Sequence, residues 1–226
     1  MLIHGVLALS LSLSGLTGAT AGVDCAKVKC LALTFDDGPS AYTAKLLDTL
    51  KREKVKATFF LMGQHVEQYP KLARRQLAEG HAIGNHTWDH PHLPAMTDQQ
   101  ILDEIRTTQD AIAKATGQQP KLFRPPYGDT DQRVLDLVGQ EGLPQILWTG
   151  TTLDWKLRDP KKITAAVLRL ARRDGVILMH DVVPQTVKAM PGIIKDLKKR
   201  GFHLVTVPAL LRGKPVPPGT TYPPAP

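Results

Sequence analysis

Cysteine and aromatic residues are scarce in this chain of 226 residues, which holds two cysteines and only 5% aromatic residues. Two cysteines exclude a disulfide-rich scaffold, and by themselves they cannot form a structural zinc site. Beyond the apolar start of the chain, no stretch approaches the roughly 20 apolar residues that a membrane span requires. Hydrophobic residues make up 42% and charged residues 22% of the chain. These values are typical of a folded domain with a buried core.

Charged residues are also missing from the start of the chain, where the first acidic or basic residue is Asp24. The apolar run Val6–Leu16 is followed by Ala19-Thr20-Ala21, which has the small-x-small form of a signal-peptidase site. We therefore expect residues 1–21 to be a cleaved signal peptide and the protein to be secreted, to the extracellular space or the cell wall. An uncleaved N-terminal anchor is the alternative. Once the leader is removed, we expect no membrane span.

The two cysteines, Cys25 and Cys30, lie just after this leader. Because disulfides form in oxidising compartments, export favours a disulfide between them, and two free thiols are the alternative. The loop that such a bond closes is too short to add much stability.

The net charge is +8, from 29 basic and 21 acidic residues. The long-range field of a basic exported protein attracts it to anionic wall polymers or membrane surfaces. Nucleic acid is the competing partner, but no recognised nucleic-acid-binding motif occurs, and we expect no such partner. An ordinary solvated basic surface explains the charge equally well.

Short apolar runs alternate with amphipathic stretches along the chain. The runs that predict strands are Cys30–Phe35, Lys56–Leu61, His81–Gly84, Lys121–Arg124, Gln145–Thr149, Val176–His180 and His203–Val207. The stretches that predict helices are Tyr42–Glu53, Thr97 to Gly117, Arg133–Gln140, Lys161–Arg173 and Ile193–Arg200. Strands followed by helices predict an α/β fold with a parallel sheet of about seven strands, closed into a distorted barrel, or else an open doubly wound sheet. We expect one catalytic domain over residues 22–211 and an extended, proline-rich tail over 212–226.

Four clusters of reactive side chains each follow a predicted strand. The clusters are Asp36-Asp37-Gly38-Pro39, His86-Thr87-Trp88-Asp89-His90, Arg124-Pro125-Pro126-Tyr127-Gly128 and His180-Asp181. In a parallel α/β barrel the carboxyl ends of the strands share one face, where active sites are built. Residues from distant parts of the sequence are therefore expected to meet in one cleft.

His86 and His90 are four residues apart, so both rings would project from one face of a helical turn. Pro91 disfavours helix at His90, and a tight turn is an equal alternative. Two imidazoles and one carboxylate form a common hydrolytic metal set, which predicts a metal site together with one residue of the Asp36-Asp37 pair.

The adjacent carboxylates of Asp36 and Asp37 could belong to a metal-dependent site or to a glycosidase site. Neighbouring side chains on an extended strand point to opposite sides, so Asp36 and Asp37 can take different roles, one on a metal and one on a water. A glycosidase would need two carboxyl groups that flank the scissile bond across several ångströms, and sequence neighbours fit that poorly.

Five segments resemble the ordered motifs of the NodB-homology polysaccharide deacetylases, carbohydrate esterase family 4, between about residues 29 and 211. The segments are Thr34-Phe35-Asp36-Asp37-Gly38-Pro39, His86-Thr87-x-x-His90, Arg124-Pro125-Pro126-Tyr127, Asp154-Trp155 and Leu178-Met179-His180. The fourth motif of the family reads D-x-x-D-W, and in this chain Thr151 replaces the first Asp. The difference leaves Asp154 in place and weakens any inference about the substrate.

The resemblance implies a distorted (β/α) barrel and a divalent metal, usually zinc and in some cases cobalt. It implies that Asp37, His86 and His90 bind this metal. It further implies that Asp36 is the general base and His180 the general acid.

Further roles follow from the same resemblance. Arg124 would hold the carboxylate of the general base, and Asp154 would orient the general acid. The backbone N–H of Tyr127 would help to bind the oxyanion. Trp155 and Leu178 would line the pocket for the acetyl methyl group.

The expected reaction is removal of N-acetyl groups from N-acetylglucosamine units of peptidoglycan or chitin-type polymers by a monomeric enzyme. Esterase activity on acetylxylan uses the same site and is the first alternative. A non-catalytic sugar-binding protein is the second, although the complete set of motif residues argues against it. Four histidines fit no motif, and each is expected to lie on the surface or to be hydrogen-bonded in the core, with His92 the one that lies near the metal pair. These four are His65, His81, His92 and His203.

Overall fold

A computed structural model describes residues 23–212 and 214–224 of the chain. The expected signal peptide, residues 1–21, lies outside the described residues. Within the part of the chain that the structure describes, no helix is both long and apolar enough to cross a membrane.

Strands and helices alternate along the described residues. The strands are β1 (Lys29–Asp36), β2 (Thr58–Leu61), β3 (Ala82–Asn85), β4 (Gln145–Ile146), β5 (Gly150–Thr151), β6 (Gly175–His180), β7 (Phe202–Val205) and β8 (Thr221–Tyr222). The α-helices are α1 (Thr43–Arg52), α2 (Gly63–Gln68), α3 (Pro70–Ala78), α4 (Asp98–Thr116), α5 (Gln132–Gln140), α6 (Asp154–Leu157), α7 (Pro160–Leu170), α8 (Pro184–Lys199) and α9 (Val207–Leu210). Two short 3₁₀ turns cover Leu93–Ala95 and Pro126–Gly128.

Strand β1 is the centre of a parallel sheet with the order β3-β2-β1-β6-β5. One edge of β1 pairs with β6 along Leu31–Asp36. The other edge is shared, because β7 pairs with Lys29–Ala32 and β2 pairs with Thr34–Asp36. All seven residues of β1 after Lys29 are buried, as expected for a parallel strand that is covered on both faces.

The segment 145–151 closes the sheet into a distorted barrel. Phe123 forms parallel bridges to Asn85 at the end of β3 and to Gln145 at the start of β4. At its other end the segment pairs with β6 through β5. The expected α/β barrel is therefore confirmed, and the carboxyl ends of its strands surround one face.

Three predicted strands differ from the structure. The one expected over His203–Val207 ends at Val205, and Val207 begins α9. Lys121–Arg124 is not a strand, since only Phe123 forms bridges. Gln145–Thr149 is divided, because the chain changes partners along it: the Leu147 N–H donates to the Tyr222 carbonyl and the Thr149 N–H donates to the Val176 carbonyl.

Several helix predictions also need correction. The helix expected over Lys161–Arg173 ends at Leu170, and the one expected over Ile193–Arg200 begins nine residues earlier, at Pro184. Helices α2, α3, α6 and α9 were not predicted. The helix after Thr97 is as expected: Thr97 and Gln100 form a capping box, and Gly117 ends the helix with a φ of 80°.

Helix α1 shows how the helices attach to the barrel. Its Leu46, Leu47 and Leu50 are fully buried and belong to the large core cluster between sheet and helices. Burial of one such side chain stabilises the fold by about 1.5–3 kcal/mol. This face of α1 sets the direction of the loop that joins it to β1, where the reactive carboxylates lie.

Both ends of the described chain are attached to the barrel. Cys25 and Cys30 form a fully buried disulfide. In the proline-rich tail, which was expected to be extended without regular structure, Thr221–Tyr222 form β8 and pair with β4. The tail therefore packs against the domain that was expected to end at residue 211.

Candidate active site

Asp36, the last residue of β1, is buried and paired with Arg124. The Arg124 Nη1 donates to the Asp36 Oδ1 at 2.7 Å, and both side chains are at most 3% exposed. Burial lowers the pKa of the Arg124 guanidinium, and the charge of Asp36 opposes that shift. The other oxygen, Asp36 Oδ2, lies 3.8 Å from the Nε2 of His86. One oxygen of Asp36 is thus occupied, and the other is directed at the histidines.

The remaining donors of Arg124 are satisfied by the barrel itself. Its Nε donates to the Ile146 carbonyl and its Nη2 to the Leu147 carbonyl, both at 2.9 Å. Its Nη1 also donates to the Thr34 hydroxyl at 2.8 Å. Since the Phe60 ring lies 4.0 Å from the guanidinium carbon, the side chain is fixed on every side.

Asp37, His86 and His90 form the one cluster among the described residues whose donor atoms suit a metal ion, and these atoms lie within 4.8 Å of one another. The Asp37 Oδ1 is 3.4 Å from the Nε2 of each histidine. His86 is buried, whereas His90 and Asp37 are about one fifth to one quarter exposed. The site is therefore open to solvent on one side.

The hydrogen bonds of the cluster fit a cation. His86 uses its Nδ1–H to donate to the Arg124 carbonyl at 2.7 Å, which leaves the lone pair of Nε2 directed at Asp37. The Asp37 Oδ1 is buried and has no hydrogen-bond partner. The Nε2 atoms of both histidines face this oxygen, and a cation placed among the three atoms would be a ligand partner for each of them. The donor set, two imidazoles and one carboxylate, is one that binds zinc and related divalent ions.

The pKa values within the cluster reflect the same proximity. Burial alone would raise the pKa of the Asp37 carboxyl, but the proximity of His86, His180 and His90 holds it well below its usual range. Burial and the neighbouring His86 lower the pKa of His90. Asp37 is therefore ionised at neutral pH, as a metal ligand must be.

The loops around the cluster contain residues in the left-handed backbone region. Asp37, Thr87, His90, Tyr127 and Leu153 have φ angles between 54° and 70° although none is glycine. Such conformations cost energy and collect at functional sites. The helical turn considered for the two histidines does not form. Instead the His90 N–H donates to the Thr87 hydroxyl at 3.2 Å in a tight turn.

His180, at the end of β6, is held by Asp154. The His180 Nδ1 donates to the Asp154 Oδ1 at 2.7 Å, and its backbone N–H donates to Oδ2 at 2.8 Å. The Thr186 hydroxyl also donates to Oδ2, at 2.6 Å. Burial lowers the pKa of His180, but the hydrogen bond and charge of Asp154 outweigh it and raise the pKa to about 9. His180 is therefore protonated at neutral pH.

The other three motif residues lie close in the chain to the charged ones. Tyr127 is in the turn after Arg124, Trp155 follows Asp154 in α6, and Leu178 precedes His180 in β6. Tyr127 is 58% exposed and Trp155 is 52% exposed, whereas Leu178 is buried in β6. The Tyr127 ring contacts the ring of His90 at a centroid distance of 4.4 Å, which places the Pro126–Gly128 turn beside the cluster of Asp37, His86 and His90.

Residues 24–146 match the family model described as polysaccharide deacetylase. The chain belongs to the polysaccharide deacetylase family. It is 43% identical over 183 residues to the peptidoglycan-N-acetylglucosamine deacetylase PgdA of Listeria monocytogenes, which covers 80% of this chain and 39% of that protein. It is 36% identical over 203 residues to a chitooligosaccharide deacetylase of a Bradyrhizobium strain, which covers 83% of this chain and 93% of that protein.

A solved structure described as T48 deacetylase with substrate superimposes with a TM-score of 0.85 at 43% identity, and the match covers 88% of this chain and 99% of that one. The resemblance found in the sequence is thus confirmed at the level of family and fold. The chain spans less than half the length of the Listeria relative.

The structure also shows which family motif residues meet and how Thr151 is used. Asp36 and Arg124 pair directly, as do Asp154 and His180. Thr151, which replaces the usual first Asp of the fourth motif, lies in β5, and its hydroxyl accepts the Leu153 N–H at 3.4 Å. Thr151 thus makes a polar contact at the turn that leads to Asp154.

Two residues near the site were not assigned a role from the sequence. The His65 Nδ1 donates to the Asp37 carbonyl at 2.5 Å, and so supports the left-handed backbone of that residue. Asp181 is fully buried and accepts a hydrogen bond from the Thr43 hydroxyl. Burial raises the pKa of the Asp181 carboxyl to about 7. The His-Asp pair at the end of β6 was a visible signal for Asp181, whereas His65 stands in no pattern.

Proposed function

We propose that the chain is a zinc-dependent deacetylase that hydrolyses the N-acetyl groups of N-acetylglucosamine units in peptidoglycan or chitin-type oligomers. The observation that carries the proposal is the Asp37 Oδ1, which is unpaired and buried and lies 3.4 Å from the Nε2 atoms of His86 and His90. Membership of a family whose relatives include deacetylases of both polymers supports the substrate class.

Asp37, His86 and His90 would hold the divalent ion, with zinc favoured and cobalt a plausible substitute. When bound, such an ion supplies Lewis acidity, which polarises the acetyl carbonyl and acidifies the attacking water. The fixed imidazole of His86 needs no rearrangement to act as a ligand, because the Arg124 carbonyl already accepts its other N–H.

Asp36 is the proposed general base. Arg124 occupies its Oδ1, so the proton of the attacking water passes to Oδ2, the oxygen that faces the metal cluster. Arg124 is itself fixed by the Ile146 and Leu147 carbonyls, and so it holds this buried carboxylate in place.

His180 is the proposed general acid. It is protonated at neutral pH because Asp154 raises its pKa, and Asp154 binds its Nδ1, which leaves the Nε2–H to be donated to the amine as the C–N bond breaks. The products are acetate and a free amine on the sugar. The Tyr127 N–H is proposed to donate to the oxyanion, and one such donor is typically worth about 3 kcal/mol in the barrier. Trp155 and Leu178 are proposed to bound the acetyl methyl group.

The test is acetate release from the N-acetylated tetramer of chitin, called chitotetraose below, and from purified peptidoglycan. Wild-type protein stripped with a strong chelator should lose activity, and Zn²⁺ or Co²⁺ should restore it. His90→Ala should lose zinc binding and activity, whereas His203→Ala, a change at an exposed histidine of β7, should retain both. Activity that survives complete metal removal would exclude the proposed mechanism.

Substrate comparison separates the proposal from its alternatives. Faster acetate release from acetylated xylan than from chitotetraose would make the protein an esterase. A zinc-loaded protein that binds polymer but releases no acetate would be a sugar-binding protein. We further propose that the leader, residues 1–21, is removed on export, that residues 22–211 form the catalytic domain and that the mature protein is a monomer. Mass spectrometry of the exported protein and its sedimentation velocity would test these points.

A further inference from the structure

His92 and Asp129 lie outside the five family motifs and contact each other across two separate loops. His92 follows β3 and the metal-binding histidines, while Asp129 follows the Pro126–Gly128 turn. The His92 Nδ1 and the Asp129 Oδ2 are 2.9 Å apart. The contact therefore joins the loop that supplies two proposed metal ligands to the loop that supplies the proposed oxyanion donor.

The ring of Tyr127 lies between these two loops. His92 stacks on it with a centroid distance of 4.1 Å and an interplanar angle of 11°. On another side, His90 meets the same ring edge-on at 4.4 Å and 70°. Tyr127 is 58% exposed, and among the described residues these two histidines are the aromatic rings that contact it.

The backbone of Tyr127 needs such support. Its φ of 60° lies in the left-handed region, which a residue with a Cβ adopts only when its surroundings impose it. A ring clamped on two sides, together with a hydrogen bond from the Asp129 N–H to the Pro126 carbonyl at 2.9 Å, imposes that conformation on the turn. The direction of the Tyr127 N–H depends on it.

We infer that His92 and Asp129 are positioning residues, which brace Tyr127 so that its N–H points at the oxyanion. The inference rests on the proposed function for its catalytic consequence. Both side chains of the pair are well exposed, and contacts between exposed polar side chains contribute little to folding stability. The variants should therefore fold, and their effect should appear in the reaction rate.

The kinetic test compares His92→Ala, His92→Phe and Asp129→Ala with wild type on chitotetraose, in zinc-loaded protein. Because a displacement of about 1 Å can cost on the order of 100-fold in rate, we expect His92→Ala to lower kcat by about 10- to 100-fold. The KM should stay within about 3-fold, since the oxyanion contact forms mainly in the transition state. His92→Phe, which can still stack on Tyr127, should recover most of the lost kcat. The kcat of Asp129→Ala should lie between those of His92→Ala and His92→Phe. His203→Ala is the matched control.

A second measurement does not need activity. Amide hydrogen exchange of metal-free protein should be faster over residues 126–129 in His92→Ala than in wild type, and unchanged in His203→Ala. A kcat within 2-fold of wild type in His92→Ala would overturn the inference, as would a raised KM with normal kcat, which would mean that His92 contacts the sugar. If wild-type protein releases no acetate, the proposed function fails, and the exchange rates alone decide whether the brace exists.

Discussion

Asp154→Asn tests how the charge of a buried carboxylate controls the proposed acid. Asp154 is fully buried and accepts three hydrogen bonds, two of them from His180 and one from Thr186. Burial alone would raise the pKa of its carboxyl, but the His180 hydrogen bond and charge outweigh this and lower it. Replacing one carboxylate oxygen by an amide NH₂ removes the charge and turns one of the acceptors into a donor.

Neither orientation of the new amide preserves all three hydrogen bonds. If its oxygen faces the Thr186 hydroxyl and the His180 N–H, its NH₂ faces the His180 Nδ1 and favours a neutral ring. If its oxygen faces Nδ1 instead, the NH₂ meets the backbone N–H of His180. In both cases the charge that raises the pKa of His180 to about 9 is lost, so that pKa should fall towards or below the usual value of about 6.5.

The consequence is that the loss of rate at alkaline pH should begin at a lower pH in the variant. In wild type, His180 loses its proton as pH rises through about 9, and kcat should fall on that alkaline limb. In Asp154→Asn the limb should move down by about two units, which corresponds to about 2.7 kcal/mol of lost interaction with the protonated ring. A ring whose pKa has fallen to about 7 is only about one-tenth protonated at pH 8, so kcat at pH 8 should drop by about 10-fold.

The assay is acetate release from chitotetraose across about pH 6 to 10 with zinc-loaded protein, at saturating substrate. Asp159→Asn is the control, because Asp159 caps α7 from an exposed position in the same loop region and asparagine caps equally well. Thermal unfolding of each variant shows whether the fold is intact. An Asp154→Asn enzyme that keeps the wild-type alkaline limb and a kcat within 2-fold of wild type would refute the role of Asp154 in tuning His180.

Three further predictions concern stability. Gly38→Ala should destabilise the protein by about 1–3 kcal/mol in urea unfolding, since a Cβ there would lie 2.3 Å from the buried carboxylate of Asp181; an unchanged unfolding midpoint would contradict this. Arg124→Met should cost about 3–5 kcal/mol, because the buried Asp36 carboxylate loses its partner, and a stability equal to wild type would refute the pairing. Burial raises the pKa of Asp181 from 3.8 to about 7, so between these pH values the folded state binds more protons than the unfolded state. The free energy of unfolding should therefore fall as pH rises through this window. In urea titrations, Asp181→Asn should remove that fall.

Apolar periodicity and capping residues identified α1 and α4, which both bury an apolar face. Thr97, Gln100 and Gly117 marked both ends of α4, and three leucines marked α1. Helix α3 gave no such signal, because the residues it buries are only Ala73 and the polar Gln76. Tertiary contacts rather than its own pattern determine this helix.

The strand expected at Lys121–Arg124 failed for a related reason. Phe123 is fully buried and looks like a strand residue, but Pro120 precedes the segment and Pro125 and Pro126 follow it. Proline has no N–H to donate to a ladder, so pairing is confined to the bridges that Phe123 makes with its neighbours. The apolar pattern correctly predicted that Phe123 is buried, but it predicted a strand where only bridges form.

The expectation that Asp36 and Asp37 would diverge because strand side chains alternate was wrong in its physical reason. Strand β1 ends at Asp36, and Asp37 has a left-handed backbone, so the alternation stops between them. Both carboxylates in fact approach the same atom, the Nε2 of His86, at 3.8 and 3.4 Å. What distinguishes them is Arg124, which occupies one oxygen of Asp36 and none of Asp37. Because that contact comes from a loop 88 positions away along the chain, the two roles are separated by the fold and not by the local pattern.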